Sequence, residues 1–126
     1  MPLTDAVRVE TAASADRPLL FRRGPATGNR VQPAADARFS RTERLRLELP
    51  VGPDATPGAG RVLDRAGQTL APPVVVGARA DEVTGQRWIT ADVTLAPLGA
   101  GDYVVEVTIE EAGTTRRVLT AIRVTR

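Results

Sequence analysis

An all-β sandwich of antiparallel strands is what this sequence predicts, and three observations predict it. From Arg41 onward, apolar residues alternate with polar ones in short runs, the period of a strand with one buried face. Glycine, proline, asparagine and aspartate interrupt those runs roughly every ten residues. No segment longer than a turn carries the 3.6-residue apolar period of a helix.

Residues 1–40 read as an extended arm and residues 41–126 as the sandwich. The arm is dense in chain breakers: Pro2, Pro18, Gly24, Pro25, Gly28, Asn29 and Pro33. Two short pieces in it look extended, Ala6-Val7-Arg8-Val9 and Pro18-Leu19-Leu20-Phe21-Arg22. Proline at the head of the second suits an edge strand, because it has no N–H to give a ladder. Phe21 is expected to anchor the arm on the sandwich. The Arg23 to Arg30 loop, with its Gly-Pro and Gly-Asn steps, is expected to be mobile.

In the sandwich, Leu45, Leu47, Leu49 and Val51 alternate with Arg44, Arg46 and Glu48. Gly52-Pro53-Asp54 and Thr56-Pro57-Gly58 break that strand, and Arg61-Val62-Leu63-Asp64 begins another. Turns at Arg65-Ala66-Gly67-Gln68 and Val83-Thr84-Gly85-Gln86 frame a strand from Val74 to Ala80. Arg87 to Leu95 follows, with Ile89, Ala91, Val93 and Leu95 on one face. Tyr103 to Ile109 and Arg117 to Thr125 close the domain across a turn at Glu111-Ala112-Gly113-Thr114. The expected core is Leu45, Leu47, Leu49, Ile89, Val93, Tyr103, Val105, Val107, Ile109, Ile122 and Val124. A loop of proline and glycine running into Asp102-Tyr103, just ahead of an apolar strand, resembles the tyrosine corner of immunoglobulin-like domains. The sandwich is therefore expected to be immunoglobulin-like, with the phenol bonded back to the loop.

Composition narrows the chemistry. The chain has 126 residues, the size of one domain, and is 42% apolar but only 3% aromatic, so its core must be aliphatic. Cysteine, histidine and lysine are absent, and all 17 basic residues are arginine. That removes Ser-His and Cys-His nucleophile pairs, zinc sites of the usual N/S type, axial haem ligands and Schiff-base lysines. Acid–base work would fall to carboxylates such as Glu110 with Glu111, Asp81 with Glu82, or Asp102 with Glu106. The first two sit in turns or at strand ends, and a sugar cleft would need more aromatics. The expectation is a domain that is not an enzyme and uses no cofactor. Asp81 and Glu82 lack the repeated oxygen spacing of a calcium loop, so no metal site is expected.

The net charge of +2 is small despite nine arginines against five acids in residues 1–46. With few stacking aromatics, this argues against a nucleic-acid partner. Met1 to Glu10 does not read as a signal peptide, and no stretch approaches an apolar membrane span, so membrane insertion is not expected.

Alternation also selects a candidate surface. Trp88, Thr90 and Asp92 face away from the core on one strand, and Arg44, Arg46 and Glu48 do so on a strand expected to neighbour it. An arginine from that neighbour is expected to lie over the indole. Tryptophan and arginine are enriched at binding hot spots, so Arg44, Arg46, Glu48, Trp88, Thr90 and Asp92 are the expected partner-binding residues.

Phe21-Arg22-Arg23-Gly24-Pro25-Ala26-Thr27-Gly28-Asn29-Arg30, running into Pro33-Ala34-Ala35-Asp36-Ala37-Arg38-Phe39-Ser40-Arg41-Thr42-Glu43-Arg44, has a familiar look. With Arg61-Val62-Leu63-Asp64-Arg65-Ala66-Gly67-Gln68 and the Gly101-Asp102-Tyr103 strand, it resembles the C-terminal region of bacterial von Willebrand factor A-related (VWFA-related) proteins. The A domain's Asp-x-Ser-x-Ser motif is absent, so no adhesion chemistry carries over. The resemblance implies an accessory β-domain of a larger bacterial protein, secreted or periplasmic. The expected function is a non-catalytic protein-interaction or spacer module with a protein partner; a carbohydrate-binding module is the alternative.

Overall fold

Alternating side chains force a strand to bury one face, and an aliphatic core of this size is buried most fully between two sheets. The computed structural model describes residues 18–126 apart from Pro73, so the extended piece expected at Ala6-Val7-Arg8-Val9 lies outside the described residues. Among the described residues there are nine strands and one turn of 3-10 helix, Pro25–Thr27. The strands are β1 (Leu19–Arg23), β2 (Gln32–Pro33), β3 (Arg38–Ser40), β4 (Arg44–Val51), β5 (Thr56–Leu63), β6 (Val74–Ala80), β7 (Arg87–Thr94), β8 (Gly101–Glu111) and β9 (Thr114–Thr125).

They form two sheets, ordered β2-β1-β4-β7-β6 and β3-β9-β8-β5. All pairings are antiparallel except β3 with β9, which is parallel. The chain is thus an all-β sandwich, with one mixed sheet where a purely antiparallel one was expected. Every residue of the expected core is buried except Tyr103, which is half-buried and packs against it. The phenol of Tyr103 donates to the carbonyl of Gly99 at 2.7 Å, tying the corner loop to the start of β8.

The arm is more deeply woven in than expected. β1 lies between β2 and β4, with Leu20 opposite Leu47 and Arg22 opposite Leu45. This register turns Leu20 and Arg22 inward and Phe21 outward, beside Arg46. The anchor is therefore not Phe21 but Phe39 of β3, which is 1% exposed within the core. Arg22 reaches across from the first sheet, its guanidinium 5.1 Å from the Phe39 ring centre and bonded to the Arg38 carbonyl. The Arg23 to Arg30 loop is closed by its own hydrogen bonds: Thr27 N–H and Asn29 N–H both donate to the Gly24 carbonyl.

β5 corrects a second expectation. Thr56-Pro57-Gly58 does not end a strand; it begins one, with a register shift between Pro57 and Gly60 where it pairs with β8. Glycine is required there by crowding. A Cβ on Gly60 would lie 2.6 Å from Val74 Cγ1 and 2.7 Å from Val76 Cγ2 of β6. The bare backbone lets β5 and β6 close one side of the sandwich.

Truncating the anchor should separate the two phenylalanines. Phe39→Ala is expected to cost about 3–5 kcal/mol in chemical denaturation, as for other fully buried rings. Phe21→Ala should cost less than half of that.

Candidate functional site

The expected partner-binding residues lie on β4 and β7, which pair along their full length. Arg46 stands opposite Asp92, Glu48 opposite Thr90, and Arg44 opposite Thr94. Trp88 stands opposite Pro50. The register brings all six onto the outer face of the five-stranded sheet, but it divides them into two halves of different character.

The lower half is internally satisfied. Glu48 is only 6% exposed and Thr90 5%, although both face away from the core. Arg79 of β6 covers Glu48. Its guanidinium bonds both oxygens of Glu48, at 2.5 and 3.3 Å, and lies 5.2 Å from the Trp88 ring centre. The arginine over the indole therefore comes from β6 and not from β4. Sequence reasoning could not select it, because β6 carries too few alternations to fix its outer face beside Trp88. Trp88 itself is half-buried.

The upper half is open. Arg22, Arg23, Val31, Arg44, Leu45, Arg46, Val75, Asp92, Val93 and Thr94 line a concavity of about 390 Å³. Four arginines face one aspartate there. Arg22 is neutralised by Glu43, with which it forms an ion pair at 3.3 Å. Arg46 Nε stands 3.4 Å from Glu48 and 3.7 Å from Asp92, yet makes no hydrogen bond. Arg23 Nε donates to the Asn29 carbonyl at 3.0 Å. Among the described residues, neither Arg23 nor Arg44 has a carboxylate partner. Two apolar side chains flank them, Val31 (48% exposed) and Val75 (64%). Arg23 and Val31 were not among the expected site residues: pairing of β1 beside β4 brings Arg23 opposite Arg44, and the arm's sequence holds no periodic signal of that pairing.

A second trough, ≈ 410 Å³, crosses the outer face of the other sheet. Its floor includes Val104 and Ala121, and its rim holds Asp36, Asp64 and Asp102 with Arg38, Arg65 and Arg123. Those charges balance, so the trough offers no net attraction to a charged partner. The first groove does, and it is the better candidate.

Three of the candidate acid–base carboxylates, Asp81, Asp102 and Glu106, are engaged in hydrogen bonds. Asp102 is bonded to Arg123 at 2.8 Å, and this bond holds its carboxyl below the usual range. Glu106, 4% exposed, is bonded to Arg61 at 2.5 Å, which likewise depresses it, with Arg117 3.2 Å from its other oxygen. Neither is held protonated as a general acid would be. Asp81 accepts from the Val83 and Thr84 N–H groups of its own turn, which lowers its pKa.

No protein-family model, no curated protein and no solved structure matches this chain.

Two outcomes follow from the charge network. The chain has one tryptophan, so Arg79→Ala should shift its fluorescence emission to the red; the lost cation–π attraction, about 0.5–1 kcal/mol, adds to the larger cost of leaving buried Glu48 without its two hydrogen bonds. The folded pKa of Glu106 lies below its unfolded value of 4.5. Its contribution is thus fully present above that value and is lost as pH falls through the folded one. Glu106→Gln should be less stable than the parent by about 1–2 kcal/mol at pH 7. Melting curves taken at falling pH should show that gap closing in the acid range.

Proposed function

We propose that this domain is a non-catalytic protein-interaction module of a larger, exported bacterial protein, and that it receives an acidic segment of its partner in the groove at Arg23 and Arg44. The observation that carries the reading is the excess of arginine in that groove: two guanidinium groups without carboxylate partners among the described residues, beside exposed Val31 and Val75. Arginine presents a planar fork that takes a carboxylate through two parallel hydrogen bonds. The valines offer apolar contact beside it, the combination a peptide of mixed acidic and aliphatic residues would fill. The immunoglobulin-like character and the placement in a VWFA-related protein rest on the tyrosine corner and on the sequence resemblance, and both belong to this proposal.

A carbohydrate-binding role has less support. Sugar platforms use exposed aromatic faces, and one face of Trp88 is already occupied by Arg79.

Fluorescence anisotropy with labelled peptides tests the reading. Acidic peptides interleaved with aliphatic residues should bind, neutral ones of equal length should not, and affinity should fall as salt rises. Arg23→Glu with Arg44→Glu should abolish binding without changing the melting temperature by more than a few degrees. Equal binding of acidic and neutral peptides, or binding indifferent to the double reversal, would remove the groove from consideration.

A further inference from the structure

A strand edge presents a row of unpaired N–H and C=O groups, and proteins cover such rows or break them. The two sides of this sandwich are covered differently. On one side β5 packs on β6, with Gly60 against Val74 and Val76. On the other, the described chain covers one end alone. There residues 34–37 cross from β2 to β3: the Ala34 N–H donates to the Leu20 carbonyl, and the Arg123 N–H donates to the Ala37 carbonyl. β9 has twelve residues, and β3 pairs only with Arg123, Val124 and Thr125. Residues 114–122 have β8 on one side and, among the described residues, no strand on the other. N–H groups two residues apart point the same way along a strand, so those of Leu119 and Ala121 face the uncovered side with that of Arg123. This stretch contains no proline to break the row. Its inner face already belongs to the core, Val118 being 4% and Ile122 3% exposed.

We propose that an earlier segment of the same chain, Ala6-Val7-Arg8-Val9, covers this edge by pairing parallel to β9. Position, direction and length point to that occupant. Arg22 lies at the covered end, bonded to the Arg38 carbonyl, so Pro18, four residues earlier, lies toward the uncovered stretch. β1 is antiparallel to β4, and the chain reverses between β3 and β4 at a turn in which the Glu43 N–H donates to the Ser40 carbonyl. β1 therefore runs in the sense of β3 and β9, and a segment leading into it lies parallel to β9 without reversing, as β3 does. Residues 10–18, mostly small or polar, separate Val9 from Leu19. Nine residues reach up to roughly 30 Å when extended, and stacked sheets are only about 10 Å apart.

One register suits both strands. With Val7 beside Val118 and Val9 beside Thr120, the two valines continue the inner face of β9. Arg8 then falls beside Leu119, which is 50% exposed, and not beside Arg117. The Val7 N–H donates to the Arg117 carbonyl, and the Leu119 N–H to the Val7 carbonyl. Val9 repeats the pattern between Leu119 and Ala121. β9 belongs to the other sheet from Arg23 and Arg44, so the covering of its edge and the acidic-segment reading fail separately.

Amide hydrogen exchange of the whole chain, followed by NMR at low protein concentration, tests this pairing. The Leu119 and Ala121 amides should exchange about a hundredfold more slowly than unpaired ones. Val7→Pro removes an N–H from the ladder and Val9→Asp sets a charge toward the core, so each should abolish that protection. Val7→Ile should keep it. The Val118 and Thr120 amides, which face β8, should stay protected in every variant and so report that the sandwich still folds. Unslowed exchange at Leu119 and Ala121 in the unaltered chain overturns the proposal. So does protection that survives both disruptive substitutions, or protection that grows with protein concentration, which would place a second copy on the edge.

Discussion

Glu43, Glu48 and Glu106 are buried to within a few per cent, and each is held by arginine from a different strand. An ionised carboxylate withdrawn from water is costly unless it is paired and hydrogen-bonded, so these positions exist only because the arginines do. None of the three lies in the aliphatic core. Glu48 and Glu106 sit on the outer faces of the two sheets, roofed by Arg79 and by Arg61 with Arg117. Glu43 sits beside the edge, where it accepts from Arg22 of the first sheet and from the Ser40 N–H of the second. Each pair therefore fastens one strand to another: β4 to β6, β5 to β8 and β9, and β1 to the segment that opens β4. In a chain with four aromatic residues, the core alone offers little large-ring packing, and these outer pairs add side-chain order on the faces the core does not reach.

Arginine is suited to this role for a physical reason. Its long apolar stem lies along the sheet while its head reaches a carboxylate two strands away, as Arg79 does over Trp88. The guanidinium is charged at every accessible pH, so pairing depends on the carboxylate alone. The same chemistry that closes the lower half of the β4–β7 face leaves the upper half open. There the acids run out: Asp92 is the one carboxylate in a groove of four arginines. The candidate site is thus the part of a structural charge layer in which cations exceed anions.

Alternation made the central strands legible. Leu45, Leu47 and Leu49, Ile89, Ala91 and Val93, and Val105, Val107 and Ile109 each declare a buried face, and the register follows from them. The Tyr103 corner was legible because a phenol at a strand start needs a local acceptor, and Gly99 is four residues away. The arm was not. Leu19-Leu20-Phe21 is a continuous apolar run with no parity, so nothing in it says that Leu20 points in and Phe21 out. Phe39 lies in a three-residue strand whose partner, β9, is over 80 residues distant and parallel, a pairing no local pattern announces. β5 was hidden for the opposite reason. Its proline and glycines read as a break, yet they are there because Val74 and Val76 leave no room for a Cβ at Gly60.

Arg46 marks the boundary between the two halves of the candidate site, and its geometry bears on the proposed recognition. Its Nε is held near Glu48 and Asp92 by charge alone, with no hydrogen bond to either. A ligand carboxylate in the proposed groove would draw Arg46 toward it at the cost of two long ion-pair contacts, of which only the one to half-exposed Asp92 is screened by solvent. Glu48 would not be left as a bare buried charge, because Arg79 bonds both of its oxygens independently. Two arginines on one glutamate look redundant in the free domain. Under the proposed recognition the redundancy would separate the tasks, one cation keeping the fold neutral while the other turns to the ligand.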